Sequence, residues 1–309
     1  MSGVPERFDV DLPDRGVSLA VYDWGGPGPV MLCAHANGFC GRLWEPLARE
    51  LRGEFRVLAF DARGHGDSSS PPEPDAYAWE ELARDLTALV GALERERGIG
   101  PIDCGVGNSF GGSLILSAAA RLPGRFGCLV LVDPVVLHAS REAERSGRSA
   151  EMVKRARQRR SLWRSREEVR HAYAARELFA DWRPEALDLY VEHGLRERAD
   201  GQFELKCRGD VEAEIFARGG AFDLFAEARL LRTPATLLRA RGGQFPPETY
   251  AALASESPSI QVRDMDIGHL APMSDVGPLA RALRESYAES AGRRAASRAT
   301  QRSSNQPSR

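Results

Sequence analysis

The sequence predicts an α/β fold, in which a mostly parallel sheet is flanked by helices and carries a helical insertion. Three observations support this prediction. Apolar runs at residues 30–34 and 128–132 are typical of strands that are buried on both faces, as in parallel sheets. Such runs alternate along the chain with segments of helical apolar spacing. About a hundred residues between Asp133 and Pro234 then carry helical periods and few strand signals.

The chain begins with a predicted hairpin. Residues 8–12 and 17–22 alternate apolar and polar side chains around an Asp-Arg-Gly turn, as in an antiparallel pair with one solvated face. The central strand 30–34 follows. Apolar spacing then predicts a helix over residues 42–51, and residues 55–60 predict the next strand.

A serine between glycines lies after the long amphipathic helix predicted at residues 77–96. Residues 102–106 predict a strand, and the small residues of 109–122 predict a packed helix. In the sequence Gly-Asn-Ser-Phe-Gly at 107–111, the turn around Ser109 is so tight that the residues two before and two after must be small. Such a nucleophile elbow exposes the hydroxyl at a helix N-terminus, where free amides favour negative charge.

Two acids are candidates for a site at the edge of the sheet. Asp133 follows the apolar run 128–132, and an acid at the carboxyl end of a strand in an open parallel sheet faces the crevice where ligands bind. The strand predicted at 234–240 is followed by a loop without a carboxylate, and the first acid beyond it is Glu248. Residues 260–265 predict the last strand.

Four motifs resemble those of the α/β-hydrolase fold family, in the family's order along the chain. They are the sequence His-Ala-Asn-Gly-Phe-Cys at 35–40, Asp-Ala-Arg-Gly-His-Gly-Asp-Ser at 61–68, the elbow at 107–111 and Gly-His-Leu-Ala-Pro-Met at 268–273. The resemblance extends from about residue 17 to about residue 287. It implies a mostly parallel eight-stranded sheet flanked by helices, with an inserted helical cap.

The resemblance also implies roles for individual residues. Ser109 matches the family's nucleophile, and His269 matches its general base. The backbone amides of Asn37 and Phe110 match the oxyanion hole. His35 matches a histidine that braces the loop after the third strand, so we expect a structural role for it.

The acid of the catalytic triad is less closely specified by the resemblance. Many family members carry it after the seventh strand, whereas some, including certain haloalkane dehalogenases, carry it after the sixth, which matches Asp133. We favour Asp133 over Glu248 because of its position at the strand edge. Asp264 and Asp266 are minor candidates for orienting His269.

The chain is expected to contain one core, one cap and a tail. We assign residues 1–135 and 226–290 to the α/β-hydrolase core, 136–225 to a helical cap and 291–309 to a disordered tail, which lacks large apolar residues. Arginines interspersed with glutamates over 141–170 predict a solvated helical face with local ion pairs. A site for a carboxylate or phosphate of the substrate is the alternative.

Length and composition exclude several classes of protein function. A length of 309 residues suits one large domain with an insertion, and a formal net charge of -2 gives no reason to expect nucleic acid or an anionic membrane as partner. Five cysteines without CxxC spacing predict neither a disulfide framework nor a thiolate metal site. No stretch is apolar enough to span a membrane and no secretory signal is recognised, so we expect a cytoplasmic protein.

The predicted function is that of a serine esterase, which hydrolyses a carboxylic ester, lactone or thioester of a small to medium apolar substrate through an acyl-enzyme on Ser109. Cleavage of a carbon-carbon bond in a diketone-like substrate uses the same residues and is an alternative. A catalytically weak ligand-binding member of the fold is another. Dehalogenase and epoxide hydrolase activities are disfavoured because family members with those activities use an aspartate at the elbow. No cofactor or metal is required.

Overall fold

The computed structural model of the protein describes residues 3–137, 142–243 and 245–304. Its strands in chain order are β1 (Glu6–Leu12), β2 (Val17–Asp23), β3 (Val30–Ala34), β4 (Arg56–Phe60), β5 (Ile102–Asn108), β6 (Phe126–Val132), β7 (Leu162–Trp163), β8 (Leu195–Glu197), β9 (Phe203–Leu205), β10 (Ala235–Ala240) and β11 (Ile260–Met265). Eight of them form the main sheet in the order β1-β2-β4-β3-β5-β6-β10-β11. The pairs β1–β2 and β2–β4 are antiparallel and the others are parallel, which confirms the predicted sheet.

Helices cover both faces of the main sheet. The α-helices of the described chain, including those outside the main sheet layers, are in chain order α1 (Glu45–Leu51), α2 (Trp79–Arg97), α3 (Phe110–Arg121), α4 (Glu142–Arg157), α5 (Arg166–Ala174), α6 (Pro184–His193), α7 (Gly209–Arg218), α8 (Leu224–Leu230), α9 (Pro247–Ser255), α10 (Ala271–Ser274) and α11 (Val276–Ser304). Successive residues of one central strand enter different cores: Leu32 belongs to the core that includes residues of α2, α3 and α8, whereas Met31 belongs to the core that includes residues of α1 and α11. Burial on both faces explains the continuous apolar run of β3.

The segment between β6 and α8 forms the cap. It contains helices α4 to α7 and a small antiparallel sheet in the order β7-β9-β8. The sequence led us to expect a purely helical cap, and this expectation was wrong. The strands of the cap are two or three residues long, which is too short for an alternating pattern to appear in the sequence. The predicted boundaries of the core and the cap stay a prediction, and residues 138–141 lie outside the described residues.

The terminal helix differs from the sequence expectation. We expected a helix over residues 276–290 and a disordered tail from 291, whereas α11 continues through Ser304. The segment 293–302 consists mainly of alanine and arginine, which are strong helix formers, and contains neither glycine nor proline to end the helix. Residues 305–309 lie outside the described residues.

The cysteines occupy the interior of the protein. All five are buried: Cys33, Cys40, Cys104, Cys128 and Cys207. In the part of the chain that the structure describes, no helix combines the length and the apolar character needed to span a bilayer.

Candidate active site

Ser109 occupies a strained turn between β5 and α3. Its backbone angles are φ 55° and ψ -121°, in a region that residues other than glycine rarely adopt. The turn is fixed to the neighbouring strand because the Ser109 amide donates to the carbonyl of Val132 at 2.9 Å. The hydroxyl therefore stands at the carboxyl edge of the sheet, in the position expected of an elbow.

The glycines beside Ser109 are required by close backbone approach. A Cβ atom on Gly107 would lie 2.5 Å from the carbonyl carbon of Gly111, and one on Gly111 would lie 2.6 Å from the carbonyl oxygen of His35. Both neighbours are backbone atoms, which have no freedom to move aside. Small residues at these positions are thus a steric requirement of the turn, as its sequence predicts.

The structure brings together Ser109, His269 and Asp133. The Nε2 atom of His269 lies 3.0 Å from the Ser109 hydroxyl oxygen, and Nδ1 lies 2.6 Å from Oδ2 of Asp133. Asp133 directly follows β6 with a positive φ of 42°, and His269 lies in the loop between β11 and α10. These distances join hydroxyl, imidazole and carboxylate in one chain of hydrogen bonds.

The carboxylate of Asp133 is buried and has further donors. Its Oδ1 atom accepts from the Tyr250 hydroxyl at 2.8 Å and from the Ala240 amide at 3.2 Å. Burial alone would raise the pKa of Asp133, but contact with His269 and these two donors outweigh it and lower the pKa. The group is therefore held as an anion beside the imidazole.

The other acidic candidates lie elsewhere. Glu248 is exposed in the first turn of α9, whereas it is Asp133 that contacts His269. Asp264 pairs with Arg239 at 2.7 Å, and Asp266 pairs with a neighbouring arginine. Of the acids singled out from the sequence, Asp133 is the one that reaches the imidazole.

The two predicted oxyanion residues flank the serine. Phe110 is the first residue of α3, and Asn37 lies in the loop after β3; both line the same cavity as Ser109. Among the described residues, neither of their backbone amides donates to a protein acceptor. Both amides are thus without a protein acceptor in the described part of the chain.

Two buried histidines support the loops around this site. His35 contacts backbone at both ring nitrogens, accepting from the Ala62 amide at Nε2 over 3.0 Å. His65 accepts from the Gly38 amide at 3.0 Å. Burial lowers the pKa of both rings, so they remain neutral. The backbone contacts of the His35 ring agree with the structural role expected for it.

The loop at 61–68 is organised by a buried carboxylate. Asp61 accepts from the Tyr22 hydroxyl at 2.7 Å and from the Gly41 amide at 2.6 Å. The Asp67 amide donates to the same carboxylate at 2.8 Å. These bonds explain why the motif carries charged side chains without placing them at Ser109.

A cavity of about 1010 Å³ opens over Ser109 and His269. Its lining is mostly apolar and comes from both the core and the cap, including Phe39, Trp79, Val136, Phe179, Phe216 and Leu270. A cavity of this size accommodates an organic molecule of small to medium size. The aromatic side chains of the cap thus contribute to a roof over the serine, as well as packing among themselves.

The arginines of the cap are largely ion-paired. Arg155 contacts Glu151 at 2.8 Å and Arg160 contacts Glu168 at 2.8 Å, both at exposed positions. These pairs agree with the predicted solvated face. Within the described residues, no group of three or more metal-ligating side chains is arranged to hold a metal ion.

Two features of the site were not anticipated from the sequence. Tyr250 lies 117 residues from Asp133 in the chain, and no local pattern marks it as a partner of that acid. Arg159 lies on the cavity lining beside the loop that carries Asn37 with its side chain largely buried, although its segment reads as a solvated arginine-rich face. Both contacts arise from packing between distant elements.

Comparison with known proteins identifies a family that agrees with the observed fold. A family model described as "Alpha/beta hydrolase family" matches residues 31–282. Lipase LipV of Mycobacterium tuberculosis is 37% identical over 130 residues, which make up 41% of this chain and 46% of that protein. The probable protein phosphatase methylesterase 1 of Caenorhabditis elegans is 33% identical over 134 residues, which make up 42% of this chain and 35% of that protein. The chain thus spans less than half the length of these curated relatives.

Similarity to solved structures extends over more of the chain. The crystal structure of E-2-(acetamidomethylene)succinate hydrolase superposes with a TM-score of 0.77 and covers 91% of this chain and 98% of that one. The sequences are 22% identical, so the superposition identifies the fold.

Proposed function

The chain belongs to the α/β hydrolase family, and from this membership we propose that it is a serine hydrolase that cleaves a carboxylic ester, lactone or thioester. The observation that carries the proposal is the hydrogen-bonded series Ser109, His269 and Asp133, of which Ser109 and His269 line one cavity. The names of two relatives, a lipase and a methylesterase, favour ester substrates.

In the first half of the proposed reaction, Ser109 attacks the carbonyl carbon of the substrate. Nε2 of His269 takes the hydroxyl proton as the bond from Oγ to carbon forms. Asp133 orients the ring through Nδ1 and stabilises the imidazolium, because its carboxylate stays ionised. The same proton then passes from Nε2 to the leaving alcohol as the ester bond breaks.

The oxyanion of the tetrahedral intermediate is assigned to the amides of Asn37 and Phe110. Both residues line the cavity beside Ser109, and their amide donors have no protein acceptor among the described residues. Loss of one such donor typically lowers kcat by about 10²- to 10³-fold. We therefore assign these two backbone amides a contribution to kcat comparable to that of a catalytic side chain.

Water completes the cycle. His269 removes a proton from water as the new carbon–oxygen bond forms, and the acyl bond to Ser109 breaks with return of the proton to Oγ. The step releases a carboxylic acid and restores the starting enzyme. The reaction is balanced by substrate and water alone.

The cavity supports a small to medium apolar substrate. Its volume of about 1010 Å³ and its aromatic lining suit an acyl or alcohol group that excludes water from the reacting bond. A diketone-like substrate cleaved at a carbon–carbon bond would use the same serine, and parallel assays with both substrate types separate the two reactions.

The proposal is tested by reacting the pure protein with a fluorophosphonate and locating the adduct by mass spectrometry. Three variants accompany wild type: Ser109→Ala, Asp133→Asn and Glu248→Gln. The last is a matched control, because it neutralises an exposed acid that does not contact His269. We expect a stoichiometric adduct on Ser109 in wild type and in Glu248→Gln, and a labelling rate at least about 100-fold lower in Asp133→Asn.

Two results would contradict the proposal. A folded wild-type protein that stays unlabelled would show that Ser109 is not an activated nucleophile, and the ligand-binding alternative would then be favoured. Equal labelling of Asp133→Asn and wild type would remove Asp133 from the proposed triad. Thermal unfolding of every variant checks that a lost adduct does not reflect a lost fold.

A further inference from the structure

A cap tyrosine reaches the loop that carries Asn37. The Tyr190 side chain on α6 is buried, and its hydroxyl donates to the carbonyl of Gly38 at 3.0 Å. The same hydroxyl accepts a hydrogen bond from the guanidinium of Arg159. Tyr190 therefore connects a largely buried cation of the cap with the residue next to Asn37.

A largely buried charge pair packs against the same loop. Arg159 contacts Glu212 at 2.7 Å, and their side chains are 11% and 14% exposed. A Cβ atom on Gly38 would lie 2.6 Å from Oε1 of Glu212 and 3.4 Å from Arg159, so the pair lies directly on this glycine. Burial opposes the charge of Arg159, but Tyr190 and Glu212 outweigh it and raise the pKa of the guanidinium.

The loop is bound from two sides. On the cap side, the Asn37 side-chain amide donates to the backbone carbonyl of Glu212 at 3.1 Å. On the core side, the Gly38 amide donates to Nε2 of His65 at 3.0 Å. The backbone amide of Asn37 lies between these contacts and, among the described residues, has no acceptor of its own.

The charge pair depends on close approach of two cap helices. A Cβ atom on Gly209, the first residue of α7, would overlap the carbonyl oxygen of Ala156 on α4. This contact brings the start of α7 against the end of α4, and thereby Glu212 on α7 against Arg159, which lies two residues beyond the end of α4. The position of the pair is thus determined by how the cap helices pack.

We propose that Tyr190, Arg159 and Glu212 are positioning residues that orient the backbone amide of Asn37 towards the oxyanion. The inference rests on the proposed serine hydrolase function. It assigns the cap a part in the chemical step, in addition to covering the cavity. Because an oxyanion donor acts on the transition state, losing its orientation lowers kcat more than it raises KM.

A packing role makes a different prediction. If these side chains only stabilised the cap, their replacement would lower the melting temperature and leave the turnover of folded protein unchanged. If they bound the substrate in its ground state, KM would rise with kcat preserved. The three roles are therefore separable by kcat, KM and thermal unfolding.

The test uses the full chain with Tyr190→Phe and Glu212→Gln, and with Tyr77→Phe as a matched control. The Tyr77 hydroxyl also donates to a backbone carbonyl of a loop, that of Pro71 at 2.6 Å, away from the cavity. Each protein is assayed for fluorophosphonate labelling and for kcat and KM on p-nitrophenyl butyrate and its thionoester, in which sulfur replaces the carbonyl oxygen. Thermal unfolding of each variant is measured in parallel.

We expect Tyr190→Phe to lower kcat on the oxygen ester by about 10- to 100-fold, part of the effect of losing a whole oxyanion donor. KM should change little, and Tyr77→Phe should match wild type. Preference for the oxygen ester over the thionoester should shrink in Tyr190→Phe, because a misplaced donor penalises the oxyanion more than the larger sulfur. Should Tyr190→Phe not fold, Glu212→Gln is read by the same criteria.

The inference and the proposed function fail differently. Wild type that labels and turns over normally, with Tyr190→Phe and Glu212→Gln at the wild-type kcat, would overturn the inference and leave the serine hydrolase proposal standing. A change in KM alone, or an unchanged preference between the two esters, would also overturn it. Folded wild type that neither labels nor turns over would overturn both.

Discussion

Replacing Tyr250 with phenylalanine removes one donor from the carboxylate of Asp133. The Tyr250 hydroxyl donates to Oδ1 at 2.8 Å, and both side chains are 0% exposed. A hydrogen bond to a charged group contributes about 1.5–3 kcal/mol, against about 0.5–1.5 kcal/mol for a neutral acceptor. Since the substitution removes only an oxygen atom, we expect the free energy of unfolding to fall by about 1.5–3 kcal/mol.

Tyr77→Phe again provides the comparison, because the Tyr77 hydroxyl donates to a neutral carbonyl, that of Pro71. Urea unfolding at pH 7 should show a larger loss for Tyr250→Phe than for Tyr77→Phe. The pKa of Asp133 is lowered in the folded chain, so its ionised form contributes stability above the ordinary aspartate pKa of about 3.9. That contribution is lost only as the pH falls through the lowered value, and the difference between the variants should persist from pH 7 to pH 5.

Activity offers a second measure of the same contact. If Tyr250 keeps Oδ2 of Asp133 directed at His269, fluorophosphonate labelling of Ser109 should slow in Tyr250→Phe by up to about 30-fold, the rate equivalent of about 2 kcal/mol. A Tyr250→Phe protein that is no less stable than Tyr77→Phe and labels at the wild-type rate would refute the reasoning.

Three further substitutions test other parts of the structure. Gly107→Ala places a Cβ atom 2.5 Å from the carbonyl carbon of Gly111, so it should lower the free energy of unfolding by about 3 kcal/mol and abolish most fluorophosphonate labelling. Gly53→Ala is the control, because a Cβ atom there meets nothing within 4 Å, and it should change neither quantity. His65 is buried with a lowered pKa, so below about pH 6.5 the unfolded chain binds a proton that the folded chain does not. His65 should therefore lower the free energy of unfolding by up to about 1.4 kcal/mol for each pH unit below that value. Urea midpoints from pH 8 to pH 5 should therefore vary less in His65→Gln than in wild type, and equal slopes would contradict this. Asp85→Asn removes the carboxylate that binds two arginines, so the free energy of unfolding measured in urea should fall by about 3–5 kcal/mol. A fall below about 1 kcal/mol would contradict the stabilising role of this carboxylate.

The sheet and the elbow follow from local sequence. All eight predicted strands of the main sheet are present, with ends that differ from the prediction by at most two residues. Strands buried on both faces need continuous apolar runs, and the turn at Ser109 needs small neighbours at 107 and 111. Such requirements act over a few residues, so they are visible in a single sequence.

Other features required the tertiary structure. The cap strands β7 to β9 are two or three residues long, too short for a periodic signal. The sequence ranked Asp133 above Glu248 by its place at a strand edge, but the 2.6 Å contact with His269 joins residues 136 positions apart. The catalytic roles of these residues stay proposals.

The contacts that surround the site depend on packing between elements that are distant in the chain. Tyr250 and Asp133 are 117 residues apart, and Tyr190 and Gly38 are 152 residues apart. Periodicity and turn chemistry describe which face of an element is apolar and where the element ends, whereas they carry no information on which side chains meet across two packed layers. The sequence therefore determined the sheet and the elbow, and the tertiary structure decided which distant side chains support them.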